Sequence, residues 1–356
     1  MYTDNYKEST TSIPLSRESG RELKKSLRIK LEEAGCFKPT PFYHSLHILA
    51  LTALYTWAYL VLLTDSPLYI HILALILVAF TNVQSGLIAH EVGHGAVTKK
   101  KRLADLLGQF LFSFLTGVCY SHFQRIHTRH HANTNERALD YDMQSSIVSL
   151  YPESVIDKQS AYSRFITRHQ AYLIWPLISL QGFTLKLDSL ATLYNNSKET
   201  RLDQIALILH WILWLVIPSM VVGINLALLN YFFITWLIGP YTGYIFLVNH
   251  IGTYVVQPDD NLSSLQQQTM TTRNLEQGIF FDLLYGGINN HIEHHLFPSI
   301  PSIRLHKARQ ITREFCHQHG LTYREMNWMQ AAREVFDFLQ TISQTNNQGQ
   351  TEPPPV

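Results

Sequence analysis

Charge is what this sequence has little of. Only 15% of its 356 residues are Asp, Glu, Lys or Arg, against roughly a quarter in soluble domains. The deficit is local: no charged residue occurs between Pro39 and Thr64, between Ser66 and His90, or between Gln204 and Pro258. A membrane span needs about 20 apolar residues, so the first two windows each hold one span and the third holds two. A soluble core does not stay free of charge for so long, and the chain reads as a polytopic membrane protein. Cysteine is scarce too: Cys36, Cys119 and Cys316 are too scattered for a disulfide framework or a thiolate metal site. The opening stretch MYTDNYKESTTSIPLSRESG lacks the apolar core of a signal peptide, and no internal repeat is evident. A net charge of +1 argues against nucleic acid as a partner.

Four transmembrane helices are expected, at about Ser45–Thr64, Pro67–Ala89, Ile205–Val222 and Leu226–Val248. Asp65 and Pro67 stop and restart the first pair, and Gly223–Asn225 joins the second. All 28 Lys and Arg fall in residues 1–44, 91–204 and 249–356, and neither hairpin turn carries one. Those three segments share a side, which the positive-inside rule makes the cytoplasm. Two further apolar stretches, Leu103–Val118 and Ala171–Leu185, are short, and the second contains Trp175–Pro176, which would kink or break a helix. Both read as helices lying in the interface or entering partway.

The expected plan is a cytosolic N-terminal segment 1–44 with its first ~20 residues disordered, a membrane domain 45–310, cytosolic helices 311–341 and a disordered tail 342–356. The fold class is all-α integral membrane, with two helical hairpins, interfacial helices and a cytosolic helical cap carrying a metal site.

Histidine is what the sequence has in excess, with 18 residues. Three clusters stand out: His90 and His94 in HEVGH; His127, His130 and His131 in HTRHH; His291, His294 and His295 in HIEHH. On a helix, residues three or four apart share a face. The pairs His90/His94, His127/His130 and His291/His294 can therefore each offer two imidazoles to a common centre, with His131 and His295 turned toward a second. Eight imidazoles exceed the four to six or so ligands of one ion and suit two, and imidazole accepts zinc, copper, iron or nickel. The span count puts all three clusters on one face of the membrane. His250, at the end of the fourth span, could be a ninth ligand.

HEVGH also spells the H-E-x-x-H string of zinc proteases. That reading leaves most of the histidines without a role, and it needs the motif inside a span, whereas here it emerges beside Lys99–Arg102. Glu91 reads instead as steadying an imidazole through its second ring nitrogen. His71 and His210 lie within spans and should be hydrogen-bonded inside the bundle. His44 and His47 flank the first span, and His122, His169, His306, His317 and His319 read as surface or interface residues.

The three boxes, HEVGH, HTRHH and HIEHH, resemble those of the membrane fatty acid desaturase family, H-x(3–4)-H, H-x(2–3)-H-H and H/Q-x(2–3)-H-H after paired spans. NERALDYDM, Asn135–Met143, resembles the N-x-x-x-x-D-x-D run that follows the family's second box. GGINNHIEHHLFPSIP, Gly286–Pro301, is similar to the third-box region of the acyl-CoA and front-end branch. The resemblance covers roughly residues 45–310. It implies two non-haem irons held by His90, His94, His127, His130, His131, His250, His291, His294 and His295, with no catalytic residue beyond these ligands. Asp140 and Asp142 match acidic family positions and would support ligands from behind.

The resemblance further implies O2 as co-substrate and a fatty acyl chain, CoA- or lipid-linked, as the substrate that gains a double bond. Two departures matter. Front-end members usually carry Gln where this chain has His291. The H-P-G-G motif of a fused cytochrome b5-type haem domain is also absent, so the expected electron donor is a separate ferredoxin or cytochrome b5-type protein. A hydroxylase, epoxygenase, acetylenase or ketolase would use the same framework. A degenerate lipid sensor would have lost box histidines, and a transporter would carry charged or helix-breaking pairs at mid-bilayer.

Overall fold

The computed structural model describes residues 15–145, 147–156, 160–194 and 201–348. Among these the chain is helical, with extended pairing limited to two isolated bridges, Glu136 with Val256 and Asn274 with Glu325. Helix α1 (Arg17–Glu33) starts on Ser16, whose Oγ accepts from the backbone N–H of Ser19. It therefore begins inside the stretch expected to lack structure. Residues 1–14, the rest of that stretch, lie outside the described residues.

Four helices are long and apolar enough to cross a membrane: α2 (Pro41–Leu62), α3 (Leu68–Gly93), α8 (Arg201–Val221) and α9 (Ile224–His250). They run 21 to 27 residues, or ~32–40 Å at 1.5 Å per residue, against a hydrocarbon core of about 30 Å. A helix satisfies its own backbone polar groups, which lipid cannot do, so an uncharged apolar run folds this way. The chain turns between α2 and α3 at Pro67, and between α8 and α9 at Gly223, whose φ of +89° favours glycine. Both α3 and α9 extend a few residues past the expected ends, which puts His90 and His250 on their last turns.

The two shorter apolar stretches penetrate between the spans. Helix α4 (Lys101–Gly108) passes into a π-helical segment, Gln109–Phe114, and α5 (Tyr120–Ala132) returns carrying the second box. The carbonyl of Leu115 accepts from Tyr55 Oη at 3.1 Å. Tyr55 lies fourteen residues beyond Pro41, ~21 Å along α2, so this segment reaches deep between the spans. Helices α6 (Ala161–Leu177) and α7 (Gln181–Tyr194) are joined by a 3-10 turn at Ile178–Leu180. Pro176 thus loosens the helix without ending it, as a proline kink does. A Cβ at Gly182 would collide with the Thr235 carbonyl on α9, and one at Gly239 with the Ser179 carbonyl. Small residues at both places let the two backbones touch.

The cap gathers α1, α10 (Ser264–Thr271), α11 (Ile279–Leu284), α12 (His291–Leu296), α13 (Ser302–Gln318) and α14 (Trp328–Gln348) over the ends of α3 and α9 that carry His90 and His250. Its own core includes Leu27, Leu31, Leu265, Ile292, Ile300 and Phe315. Fully buried Arg273 bonds the Ile251 carbonyl at the end of α9 and pairs with Glu334 of α14 at 2.9 Å, which ties cap to bundle. The boundary expected at residues 310/311 falls inside α13, and α14 continues to Gln348, into the tail expected from residue 342. Residues 349–356 of that tail lie outside the described residues.

Candidate metal centre

Five elements aim histidines at one place: the last turn of α3, the residue capping it, α5, the last residue of α9, and α12. The rings fall into two groups. His90, His94, His127, His131 and His294 have ligand nitrogens all within 4.8 Å of one another. Within this group the Nε2 atoms of His90 and His127 are 2.7 Å apart, those of His127 and His131 2.9 Å, and those of His94 and His127 3.0 Å. His294 Nε2 lies 3.2 Å from His131 Nε2. The second group is His130, His250 and His295, again within 4.8 Å. His291 joins it through a 2.7 Å approach to His250 Nε2. All nine candidate ligands are thus brought together.

The spacing-based pairing is wrong in one respect. His127 shares its group with His131 and not with His130, and His291 groups with His295 and not with His294. At 100° per residue the i+4 position returns to within about 40° of the first residue, whereas i+3 misses by about 60° on the other side. Tertiary docking selected the closer pair in each box.

These approaches test whether a metal fits. Metal–imidazole bonds of about 2.0–2.1 Å place ligands on one ion ~2.9 Å apart at right angles and ~3.4 Å apart at tetrahedral angles. The observed separations fall around that range. In the second group, hydrogen bonding does not account for the approach of His130 to His250. His130 Nδ1 donates to Asp140 Oδ2 at 2.9 Å, His250 Nδ1 to the Thr271 carbonyl at 3.1 Å, and His295 Nδ1 to Gln268 Oε1 at 2.9 Å. A neutral imidazole has one N–H, so in the neutral, metal-binding form all three Nε2 atoms carry lone pairs. His130 and His250 nonetheless point theirs at each other across 3.3 Å, and buried His295 Nε2 has no hydrogen-bond partner. Lone pairs facing inward in a buried pocket call for a cation between them.

Protonation is set the same way. Burial, reinforced by neighbouring rings, pushes His127, His131, His294 and His295 well below the usual histidine range. It brings His94 to about 4 and His291 to about 3. Neutral rings are the ligand form. His130 is the exception. Burial opposes its charge, but the hydrogen bond to Asp140 and the charges of Asp142 and Asp140 outweigh burial and raise it. Asp142 Oδ2 is 3.3 Å from the same Nδ1. Asp140 Oδ2 also accepts from the backbone N–H of Asn135 at 2.8 Å, so the His130–Asp140–Asp142 cluster supports a ligand and is not a third ion site.

Glu91 departs from expectation. It points away from the boxes, and its Oε2 accepts from His44 Nε2 at 3.2 Å and from the backbone N–H of Ser302 at 2.9 Å. One residue along α3 from His90, it faces α2 and the cap. His71 bonds Asn230 at 2.8 Å, and His210 bonds the Phe114 carbonyl at 2.8 Å, so both are satisfied inside the bundle. His169, His306, His317 and His319 are exposed, and His122 is half-buried. Sequence reasoning missed Gln268, Thr134 and the Thr271 carbonyl. Thr134 Oγ1 donates to Gln268 Oε1 at 3.0 Å, the oxygen that orients His295. No motif marks them.

Comparison with known proteins agrees with this geometry. The profile of the family described as "Fatty acid desaturase" matches residues 65–327. The chain is 28% identical over 336 residues to the acyl-lipid 8-desaturase of Rebecca salina, covering 91% of this chain and 75% of that protein. It is 25% identical over 311 residues to the fatty acid desaturase 2-like protein FADS2B of Mus musculus (86% and 62%). It is 26% identical over 329 residues to the Delta(5) fatty acid desaturase fat-4 of Caenorhabditis elegans (87% and 72%). The chain thus spans less than two thirds of the mouse protein.

Proposed function

The chain belongs to the fatty acid desaturase family, so its histidine centre is that of a membrane-bound oxidoreductase, and we propose that it holds two irons and inserts a double bond into a CoA- or lipid-linked acyl chain. His90, His94, His127, His131 and His294 would hold one iron, and His130, His250, His291 and His295 the other. When bound, the iron pair turns O2 into an oxidant able to take hydrogen from an unactivated methylene, which no side chain can do. Overall, two hydrogens leave adjacent carbons, and O2 with two electrons and two protons leaves as two waters. The electrons would come from a separate ferredoxin or cytochrome b5-type donor.

The chain's own residues bind, orient and exclude water. Asp140, the Thr271 carbonyl and Gln268 each hold an Nδ1–H, which fixes the tautomer and keeps Nε2 free for the metal. A narrow cavity of about 50 Å³ lies between α3, α7, α9 and the segment after α4, lined by residues including Val83, Gly86, Phe112, Leu185 and Ile238. Gly86 is one turn before His90 on α3, so the apolar slot starts about one helical turn below that ring. An acyl chain held there would present one C–C bond to the centre in fixed geometry. Termini and centre would face the cytoplasm, because neither hairpin turn carries a Lys or Arg.

The observation that carries this reading is the pair of converging, buried imidazole clusters above an apolar slot. Expression in a host of known lipid profile, followed by mapping of new double bonds, tests it. A new double bond at one position, lost in a His131→Ala variant, is the expected result. A new hydroxyl group with no double bond would assign the framework to hydroxylation instead.

A further inference from the structure

The cavity beneath the centre ends on an amine. Lys186 of α7 lines it together with Thr116 and Val118 from the segment after α4. Its side chain is half-buried. The Nζ atom donates to the Thr116 carbonyl at 2.6 Å, lies 3.5 Å from His210 Nε2, and sits 4.8 Å from the centroid of the Tyr231 ring. Among the described residues none of these partners is a carboxylate. An ionisable group within the membrane is costly and marks function by default.

Depth along α9 shows which end of the cavity this is. Thr242 and Ile238, which line it, lie eight and twelve residues before His250, ~12 and ~18 Å below it. Tyr231 lies nineteen residues before His250, ~28 Å below. At the top, Phe112 packs on Phe123 at 4.7 Å, and Phe123 stacks on His127 at 5.1 Å. The slot therefore runs from Phe112, which Phe123 separates from His127, down to the Lys186 amine. His210 is fixed in turn by the Phe114 carbonyl at 2.8 Å and Tyr231 Oη at 3.1 Å.

We propose that Lys186 is the specificity-determining floor of this cavity: its amine, tied to the Thr116 carbonyl beside His210, stops the methyl end of the substrate and so sets how many carbons lie beyond the oxidised bond. The proposal rests on the desaturase reading and adds to it the element that measures the tail. A tail too long for the slot would have to push the amine off its carbonyl and leave donor and acceptor unpaired in apolar surroundings. Hydrocarbon cannot replace those bonds. Each methylene that does find an apolar wall is worth roughly fourfold in binding, so removing the amine should favour longer tails.

The test uses the full chain in a host supplied with an equimolar mixture of acyl substrates differing by two carbons. The readout is the ratio of long to short substrate converted. Lys186→Met is apolar and one atom shorter, and should raise that ratio at least about fivefold. Lys186→Arg reaches further into the slot and should lower it. Ile238→Ala widens the slot at mid-depth and should change total conversion with little change in the ratio. A purely structural lysine would depress conversion of all lengths together. An unchanged ratio in an active Lys186→Met enzyme overturns the floor. If Lys186→Met does not accumulate, an unchanged ratio in Lys186→Arg does the same. A wild-type chain that makes no double bond from any substrate overturns the desaturase reading and the floor with it, whereas products with an unchanged ratio overturn the floor alone.

Discussion

Replacing Asp140 with Asn isolates one half of the centre. Asp140 is fully buried, and three N–H groups converge on its carboxylate. Oδ2 accepts from His130 Nδ1 at 2.9 Å and from Asn135 N at 2.8 Å, and Oδ1 accepts from Asp142 N at 3.0 Å. An asparagine fills the same volume but turns one acceptor into a donor. With its oxygen toward His130, the amide meets the Asp142 N–H donor to donor. With the amide reversed, His130 loses its acceptor and can move its hydrogen to Nε2, the atom facing His250. Either way Asp140's share of the negative charge that raises His130 is lost, while that of Asp142 remains.

Loss of such a supporting carboxylate costs about 10–100-fold in metal affinity, or ~1.4–2.7 kcal/mol. Only the group of four histidines is touched; no member of the group of five bonds Asp140. Metal analysis after dialysis against a mild chelator should therefore fall from two ions per chain toward one, and desaturation should drop at least about tenfold. Asp142→Asn, at a side chain 60% exposed, should change retention less than about threefold, since solvent screens it. Asp140→Asn retaining both ions with full activity, or losing both together, would refute the reasoning.

Three further outcomes follow from the same geometry. His291→Gln should keep measurable desaturation, because an amide can still approach the group of four directly or through water, whereas His294→Gln removes a ligand from the group of five and should leave none; equal loss would make His291 an obligatory ligand. Stability and metal retention should be flat above about pH 7 and fall from pH 6.5 toward 5. The buried rings favour the neutral form, down to about 4 for His94 and about 3 for His291, while unfolded histidine titrates near 6.5, so each can withdraw up to ~1.4 kcal/mol per pH unit in that window. His130, shifted upward, has the opposite sign and offsets one ring; thermal melts that stay flat to pH 5 would contradict the assignment. In intact cells an impermeant maleimide should label Met220→Cys, exposed on the last turn of α8, and not Lys100→Cys; the reverse pattern would invert the topology.

The four spans were legible because an uncharged run of such length has few other fates. Their inner ends were not, because α3 carries a charge past its expected stop. Glu91 is tolerated there by His44 and the Ser302 N–H, partners far away in sequence. The box histidines were legible from spacing alone, since two copies of H-x-x-H-H do not arise by composition. Which rings fall into one group was not legible. On α12, only six residues long, the docking of the helix decides which of His294 and His295 faces which group. Gln268 was invisible for a related reason. It supports His295 from 27 residues away, inside a polar run that no motif distinguishes. Pro176 was correctly marked as a disruption, but packing of Gly182 and Gly239 against neighbouring carbonyls holds the bent helix together across it.

The most direct test of the central claim is metal analysis of the anaerobically purified full chain. Two converging imidazole clusters without thiolates should hold about two irons per chain. One zinc per chain with no iron would contradict the two-iron centre and return HEVGH to the hydrolase reading.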